Sequence, residues 1–474
     1  MNGSAFFADL LQTIADRGRD LLGRVRRNGA LANGDLAAAC ETLLSGRGEA
    51  SGVALAREIV TRWEALDEPA RLEFLKVLAE RFGPDFSRID EAVAAYLNDK
   101  SATMAQHLHG AAEARRQELI RRLNLAPGGI EALVEMRELL LKHRTEHPDF
   151  PSVDADFAHL FSSWFNRGFL VLRRIDWSTP ANILEKIIRY EAVHTIRDWD
   201  DLRRRLEPPD RRCFAFFHPQ LTDDPLIFVE VALTRDTPSA IADLLAAERT
   251  PIAASEATTA VFYSISNCQE GLRGISFGNF LIKQVVDELR RELPRLESFV
   301  TLSPVPGFAA WLTRERRADA SLAVSPDDQR TLAALDEPGW HLDPPDPLRK
   351  ALLATASYYF LKARTPKGTP VDSVARFHLG NGARLERLNF LGDLSPKAMK
   401  QAHGLMVNYA YRLDDIEKNH ELFVSKGQVA AAPEVRRLLR EDRNPRNLVP
   451  GFEDVRAKAK QAPSTPAAPA QDAT

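Results

Sequence analysis

The sequence predicts a fold in two parts: an all-helical N-terminal domain over residues 1–168 and an α/β domain over residues 169–456. Two observations support this division. Apolar residues recur at helical spacing from about residue 5 to residue 165, and short runs of aromatic and β-branched residues begin after residue 168. In addition, a chain of 474 residues is too long for one ordinary hydrophobic core.

The helical domain is predicted from segments whose apolar side chains repeat every three or four positions, as in Ala54–Val60, 72–78 and Ile130–Leu140. Glycine and proline interrupt these segments, most clearly at Pro127–Gly129. Four histidines of this region lack acidic or cysteine partners at ligand spacing, so we interpret them as surface or core residues: His107, His109, His143 and His147. Helical layers of this kind commonly serve assembly, and we expect a homo-oligomer.

The α/β domain is predicted from strands separated by turns and helices. A helix is expected from about Pro180 to Tyr190, and the polar stretch Thr222–Pro225 is expected to turn a hairpin between two strands. Next come a strand at Ala260–Ile265, a glycine-containing loop, a helix from about residue 279 to residue 293, and a strand at Phe299–Leu302. This order predicts a β–α–β unit. Residues 457–474, rich in Ala and Pro, are predicted to be a disordered tail.

Composition excludes several classes of function. The chain is 44% hydrophobic and 27% charged, with a net charge of −3, so the total charge does not favour nucleic acid or an anionic membrane. No stretch has the apolar length of a membrane span, and the N-terminal segment carries acids at Asp9, Asp16 and Asp20, unlike a targeting peptide. The three cysteines lie far apart, which argues against a zinc site and is typical of a reducing compartment. We expect a cytoplasmic protein without a bound metal.

A glycine-containing loop between the third strand and its helix is the first candidate site. Glycines allow close approach of a bulky anion, and the amides of the following helix, together with Arg273, favour a pyrophosphate. The loop resembles the Arg/Gln-x-x-Gly-x-Gly/Ala signature of the GCN5-related acetyltransferase fold, with Ser276 in place of the first glycine. That resemblance favours coenzyme A, although an ordinary strand-to-helix turn remains an alternative. The predicted binding residues are Arg273, Gly274, Ile275, Ser276, Phe277, Gly278 and Asn279.

Two further residues are candidates for catalysis. Ser303 directly follows the fourth strand and precedes two prolines and a glycine, which places it at the carboxyl end of a strand, where α/β sheets hold ligands. His378 follows an apolar residue and precedes a Gly-Asn-Gly turn. Judged by residue type alone, a Ser-Pro turn and a structural histidine are the more common explanations, so both alternatives stay open here.

Five segments, in order, resemble the malonyl-CoA decarboxylase family: Val231–Thr234, Phe262–Ser266, Thr301–Phe308, Phe377–Ala383 and Gly404–Tyr411. The resemblance implies an N-terminal helical domain used in tetramer assembly and a catalytic domain of the GCN5-related acetyltransferase-like (GNAT) mixed-sheet fold. It also implies that Ser303 and His378 are catalytic and that the loop from Arg273 to Asn279 binds malonyl-CoA. Tyr411 and Lys186 match further positions of that active-site region, although both are compatible with packing or surface roles.

The implied reaction converts malonyl-CoA to acetyl-CoA and CO2. Charge left by CO2 spreads onto the thioester oxygen as an enolate, so we expect neither a metal nor an organic cofactor. Histidine, whose pKa usually lies near neutrality, is the expected proton donor to the enolate. Two alternatives remain: an acyl-CoA-dependent N-acyltransferase, which shares the predicted fold, and a non-catalytic malonyl-CoA sensor.

Overall fold

The computed structural model describes residues 35–46, 48–277, 281–318 and 321–439. The expected start of the helical region near residue 5 and the predicted disordered tail at 457–474 lie outside the described residues. By its internal contacts the chain forms two compact units. The first unit comprises residues up to Glu207, Arg212–Glu230 and Ile265–Leu281, and the second comprises Pro208–Arg211, Val231–Ser264 and the chain from Ile282 onward.

The first unit begins with helices joined by short turns. Their bounds are α1 Leu36–Ser45, α2 Glu49–Glu64, α3 Glu68–Arg81, α4 Phe86–Asn98, α5 Ala102–Ala112, α6 Arg115–Leu123, α7 Gly129–Lys142 and α8 Phe150–Trp164. Side chains just before the helices cap them: Asp67 accepts a hydrogen bond from the amide of Ala70, and Ser101 from that of Met104. The predicted break at Pro127–Gly129 has a steric basis, because a Cβ at Gly129 would lie 2.0 Å from the carbonyl oxygen of Leu123.

The rest of the first unit surrounds its own apolar core. A 3₁₀ turn at Arg167–Phe169 leads into strand β1 (Val171–Ile175), which pairs antiparallel with β2 (Arg211–His218). Two helices follow β1, α9 at Ala181–Tyr190 and α10 at Trp199–Leu206. The apolar faces of these helices pack on β2 in a buried cluster: Ile175, Ile183, Leu184, Ile187, Ile196, Leu202, Leu206, Cys213, Ala215, Phe217, Phe228 and Cys268.

The predicted hairpin exists, but its turn was placed wrongly. Strand β3 runs from Leu221 to Thr234 and therefore contains Thr222–Pro225, the stretch expected to form the turn. The chain reverses at Pro219 and Gln220 instead, and the Gln220 amide donates to Nδ1 of His218 at 3.2 Å. Proline fixes φ at a turn position, and the side-chain bond satisfies the amide there.

The second unit contains the remaining elements. Their bounds are α11 Ala242–Leu245, β4 Thr259–Asn267, α12 Leu281–Glu292, β5 Ser298–Thr301, β6 Ser303–Pro304, α13 Phe308–Arg317, α14 Pro326–Leu332, α15 Asp346–Leu361, α16 Ser373–Gly380, β7 Arg384–Asn389, α17 Pro396–Ala402, β8 Met406–Ala410, α18 Ile416–Lys426 and α19 Pro433–Arg437. Strand β4 also contributes its last residues, from Ile265, to the first unit.

The strands form one mixed sheet in the order β1-β2-β3-β4-β5-β8-β6, with β7 paired to β8. Strands β4 and β5 are parallel, with Phe262 opposite Thr301, and α12 connects them as the predicted β–α–β unit requires. Strand β8 is antiparallel to β5, β6 and β7, and Val407 lies opposite Ser303. The predicted order of folds is therefore confirmed: an all-helical region precedes a domain built on a mixed sheet.

In the part of the chain that the structure describes, no helix combines the length and the apolar character that a bilayer crossing needs.

Candidate active site

Ser303 is the first residue of strand β6, and only Leu302 separates it from the end of strand β5. The Leu302 amide still donates to the carbonyl of Phe262 at 2.9 Å, so the chain leaves β5 in a fixed direction. After Pro304 the backbone turns into helix α13, which begins at Phe308. Ser303 is buried as a result, at 5% exposure, and its hydroxyl is held at the end of the parallel strands as the sequence predicted.

His378 lies in the last turn of helix α16. Asp372 caps the start of this helix, and its carboxylate accepts the amide of Ala375 at 2.8 Å. The turn that follows the helix requires glycine, because Gly382 has φ of +80° and a Cβ there would lie 2.2 Å from the carbonyl oxygen of Ile416. The amide of Ala383 donates to the His378 carbonyl at 3.0 Å, so the histidine backbone is fixed from both sides.

The imidazole of His378 has a contact on each nitrogen and on one face. Nε2 lies 3.2 Å from Oγ of Ser303, and Nδ1 lies 2.8 Å from the hydroxyl oxygen of Tyr411. The ring of Tyr409 stacks on the imidazole, with 4.6 Å between ring centroids and 24° between planes. Three of the predicted site residues, Ser303, His378 and Tyr411, are thus joined in one hydrogen-bonded chain.

Burial sets the charge of this cluster. His378 is 3% exposed, and burial lowers its pKa to about 3, so the imidazole is neutral at pH 7. Burial also raises the pKa of Tyr411 above its usual range, which keeps its hydroxyl protonated. From the sequence, we expected a histidine with a pKa near neutrality. The structure contradicts that expectation, because burial of the ring among protein groups disfavours the charged imidazolium.

The candidate phosphate loop belongs to the first unit as far as Phe277. Arg273, Gly274 and Ser276 are exposed, whereas Ile275 and Phe277 are buried, so the polar groups of the loop face outward and its apolar side chains anchor it. Gly274 has φ of +82° with open space beside it.

Helix α7 holds the base of this loop. The buried Arg137 donates to the carbonyl of Gly271 at 2.6 Å and pairs with Asp154 at 2.9 Å. A Cβ at Gly271 would lie 2.0 Å from the carbonyl oxygen of Val134, so the two backbones are in direct contact. Gly278 and Asn279, the last predicted residues of the loop, lie outside the described residues.

Lys186 lies on α9 in the first unit and is engaged with its own neighbours. Its ammonium forms an ion pair with the carboxylate of Asp224 and donates to the carbonyl of Asp223 at 3.2 Å. Both acids belong to strand β3. The structure gives Lys186 a role in joining α9 to β3, and its predicted part in substrate binding stays a prediction.

Two residues of the cluster were not singled out from the sequence. Thr301 accepts the hydroxyl of Ser303 at 2.8 Å and the amide of Tyr409 at 3.1 Å. The spacing of Thr301 and Ser303 could have identified Thr301 from the sequence. Side chains two residues apart in an extended chain point to the same face, so Thr301 lies on the face that carries Ser303. Tyr409 is related to Tyr411 in the same way. Across the described ranges, from residue 35 to residue 439 with their gaps, no group of three or more His, Cys, Asp or Glu side chains is arranged to hold a metal ion.

Comparison with known proteins identifies two matching family models. The Malonyl-CoA decarboxylase C-terminal domain matches residues 168–449, and the Malonyl-CoA decarboxylase N-terminal domain matches residues 82–165. A curated relative, the mitochondrial malonyl-CoA decarboxylase of Anser anser anser, is 34% identical over 80% of this chain and 82% of its own length.

Solved structures of two bacterial malonyl-CoA decarboxylases are similar over most of the chain. The protein from Rhodopseudomonas palustris is 64% identical with a TM-score of 0.81, and the match covers 85% of this chain and 98% of that one. The protein from Agrobacterium vitis is 62% identical with a TM-score of 0.81, covering 86% of this chain and 100% of that one.

Proposed function

Because the chain belongs to the malonyl-CoA decarboxylase family, we propose that it converts malonyl-CoA to acetyl-CoA and CO2 with Ser303 and His378 as its catalytic residues. The observation that carries the proposal is the 3.2 Å contact between Ser303 Oγ and His378 Nε2 inside a buried cluster without formal charge. Such surroundings favour the reaction, because a carboxylate loses solvation there while the charge of its transition state is dispersed.

In the proposed mechanism, the C–C bond to the malonyl carboxylate breaks, CO2 leaves, and the electron pair moves onto the thioester oxygen as an enolate. Ser303 donates a hydrogen bond to the malonyl group, and His378 supplies a proton to the α-carbon of the enolate. A thioester enolate is a much stronger base than an imidazole anion, so a neutral imidazole is acidic enough to protonate it. The overall reaction consumes one proton, and solvent supplies it when it reprotonates His378.

Neither a metal nor an organic cofactor has a part in this proposal. The thioester carbonyl is itself the electron sink, so the chemistry asks the protein only to position the substrate, stabilise the enolate oxygen and deliver a proton.

The loop from Arg273 to Asn279 is proposed to bind the CoA pyrophosphate, with Lys186 and Tyr411 as further residues of the substrate site. Support comes from the exposed guanidinium of Arg273, the outward-facing glycine at 274 and the anchoring of the loop by Arg137. An anion at such a loop meets backbone amides and one full positive charge.

The chain is further proposed to form a homo-tetramer and to act in the cytoplasm. Helix α4 exposes Phe86, Val93 and Leu97 along one side, an apolar face suited to a second copy of the chain. The three cysteines are free and buried, as is usual in a reducing compartment. Light scattering after gel filtration tests assembly, and a particle no heavier than the 52.9 kDa chain would contradict it.

An N-acyltransferase is the competing activity. It needs a base that removes a proton from an amine, and burial makes His378 a weak base by lowering its pKa to about 3. The donor role in decarboxylation suits a neutral imidazole better.

The deciding experiment incubates the purified full chain with malonyl-CoA alone and measures acetyl-CoA and CO2. A decarboxylase forms both without an acceptor, whereas an acyltransferase needs an amine and a sensor leaves the ligand intact. Ser303→Ala and His378→Asn should each lower turnover by about 100-fold or more while CoA binding, measured by calorimetry, is retained. Turnover within about two-fold of the wild type in either variant would remove that residue from its catalytic role.

A further inference from the structure

Thr301 is the residue on which the hydrogen bonds of the cluster converge. Its side chain is fully buried at the end of β5. Its hydroxyl oxygen lies 2.8 Å from Oγ of Ser303 and 3.1 Å from the backbone nitrogen of Tyr409. Tyr409 also stacks on the imidazole of His378, so one residue holds both Thr301 and the ring.

The direction of each hydrogen bond follows from the donors present. The Tyr409 amide can only donate, so it occupies one lone pair of the Thr301 oxygen. The geometry of the second contact has the Ser303 hydroxyl donating to Thr301. A serine hydroxyl has a single proton, and therefore Ser303 presents a lone pair, and no proton, to Nε2 of His378.

We propose that Thr301 is a positioning residue that keeps the proton of His378 on Nε2. Since Ser303 accepts, Nε2 must be the protonated nitrogen. Nδ1 is then the acceptor for the Tyr411 hydroxyl at 2.8 Å. All bonds in the chain run in one direction, from Tyr411 through His378 and Ser303 to Thr301.

This direction is opposite to that of a serine hydrolase, in which the serine hydroxyl donates to the histidine that activates it. In the free protein the Ser303 proton is directed at Thr301, so Ser303 is not activated as a nucleophile and Nε2 of His378 keeps the proton that it donates. When malonyl-CoA binds, the Ser303 hydroxyl turns from Thr301 to the malonyl group and still accepts from Nε2. The value of this arrangement to decarboxylation rests on the proposed function, whereas the position of the proton does not.

Thr301 is itself held rigidly. The side-chain amide of Asn408 donates to the Thr301 carbonyl at 2.7 Å. The orientation of that amide is fixed because its oxygen accepts from Arg387 at 3.0 Å and from Asn389 at 2.8 Å. These bonds fix the backbone of Thr301, and the Tyr409 amide holds the Thr301 hydroxyl oxygen in place beside Ser303.

The test places the proton directly. In protein labelled with ¹⁵N-histidine, the imidazole nitrogen shifts distinguish protonated from unprotonated nitrogen, and His378→Asn identifies the resonances of residue 378. The wild-type chain should have its proton on Nε2. Finding it on Nδ1 overturns the proposal without any variant at Thr301.

Two substitutions then test whether the Thr301 hydroxyl determines which nitrogen of His378 is protonated. Thr301→Val keeps the shape but removes the acceptor, so Ser303 turns its proton to Nε2 and the Nδ1–H form should appear. Thr301→Ser keeps the hydroxyl and should preserve the wild-type shifts. An unchanged proton position in a folded Thr301→Val protein, as judged by circular dichroism, contradicts the proposal.

Reactivity gives a second readout that simple loss of structure would not raise. A fluorophosphonate probe reacts by attack of the serine oxygen on phosphorus with loss of fluoride, and the serine proton passes to histidine. Labelling of Ser303, with Ser303→Ala as blank, should rise in Thr301→Val and stay at the wild-type level in Thr301→Ser. A drop in labelling with the valine variant refutes the direction assigned here.

Steady-state kinetics complete the test. In Thr301→Val, kcat for malonyl-CoA should fall about ten-fold or more with KM within about two-fold, and Thr301→Ser should restore most of kcat. A rise in KM at constant kcat would overturn the positioning role. If the proton moves as expected but no form of the protein decarboxylates malonyl-CoA, the proposed function fails and the role of Thr301 stands.

Discussion

Replacing His378 by Asn should change how stability depends on pH, and the sign follows from burial. Burial lowers the pKa of His378 to about 3, whereas a histidine in an unfolded chain titrates at about 6.5. Between these values the unfolded chain binds a proton that the folded chain does not. The free energy of unfolding of the wild type therefore falls as the pH falls from about 6.5 toward about 3, and this group contributes no such loss above about 6.5.

The size of the effect follows from the same two pKa values. Each pH unit below about 6.5 in this window lowers the free energy of unfolding by about 1.4 kcal/mol. Lowering the pH from about 7.5 to about 5 therefore lowers it by about 2 kcal/mol through His378 alone. Asparagine does not titrate, so the variant lacks this loss. The buried His218 and the half-buried His403 have lowered pKa values too, but both are common to the two proteins and cancel in the comparison.

Urea unfolding, monitored by tryptophan fluorescence at about pH 7.5, 6 and 5, measures the difference in free energy of unfolding between the two proteins. The packing cost of the substitution is the same at each pH. The informative quantity is therefore how the difference in free energy of unfolding between wild type and variant changes with pH. His107→Asn, which alters an exposed histidine on α5, serves as the matched control and should follow the wild type throughout. Parallel pH profiles for wild type and His378→Asn would refute a neutral, buried His378. If the wild type instead became more stable relative to the variant as the pH falls, the ring would be protonated and paired with an acid.

Three further predictions test the site and its support. Tyr411→Phe removes the hydroxyl 2.8 Å from Nδ1 of His378 and leaves a buried nitrogen without its donor, so kcat for acetyl-CoA formation should fall by about 10- to 100-fold, and an unchanged kcat would contradict the role of Tyr411. Gly271→Ala forces a Cβ to within 2.0 Å of the Val134 carbonyl, so calorimetry should show a loss of about 1–3 kcal/mol in stability, and an unaltered melting temperature would contradict that close contact. Arg273→Ala, at an exposed side chain, should raise KM for malonyl-CoA about five-fold at constant kcat and stability, whereas an unaffected KM would count against pyrophosphate binding by the loop.

Local pattern was enough to predict much of the framework. Apolar spacing predicted helices such as α7, and the order of strand, glycine loop, helix and strand predicted the parallel pair β4 and β5. These features depend on neighbours in the sequence, since a helical or extended period is set by the backbone itself. The hairpin before them was misplaced because Thr222–Pro225 has turn-like composition, yet its polar side chains are accommodated within β3.

Strands β6, β7 and β8 were not predicted, for a physical reason. Strand β6 has only two residues, and β7 carries the charged residues Arg384, Glu386 and Arg387 instead of an apolar run. The pairing of β6 with β8 joins segments far apart in the chain, since Ser303 lies opposite Val407. A few residues of extended chain have no periodicity that distinguishes them from a loop. Their strand conformation is stabilised by partners that only the folded chain supplies.

The sequence by itself determined the fold class, the strand-end position of Ser303 and, through five ordered segments, the family. Only the tertiary structure decided the state of the site. It brought Nε2 of His378 to Ser303 across 75 positions and Nδ1 to Tyr411 across 33, and it buried the ring until its pKa fell to about 3. It also set Thr301 as the acceptor for the serine proton. Protonation and hydrogen-bond direction depend on solvation and on partners distant in sequence, and neither exists before the chain folds.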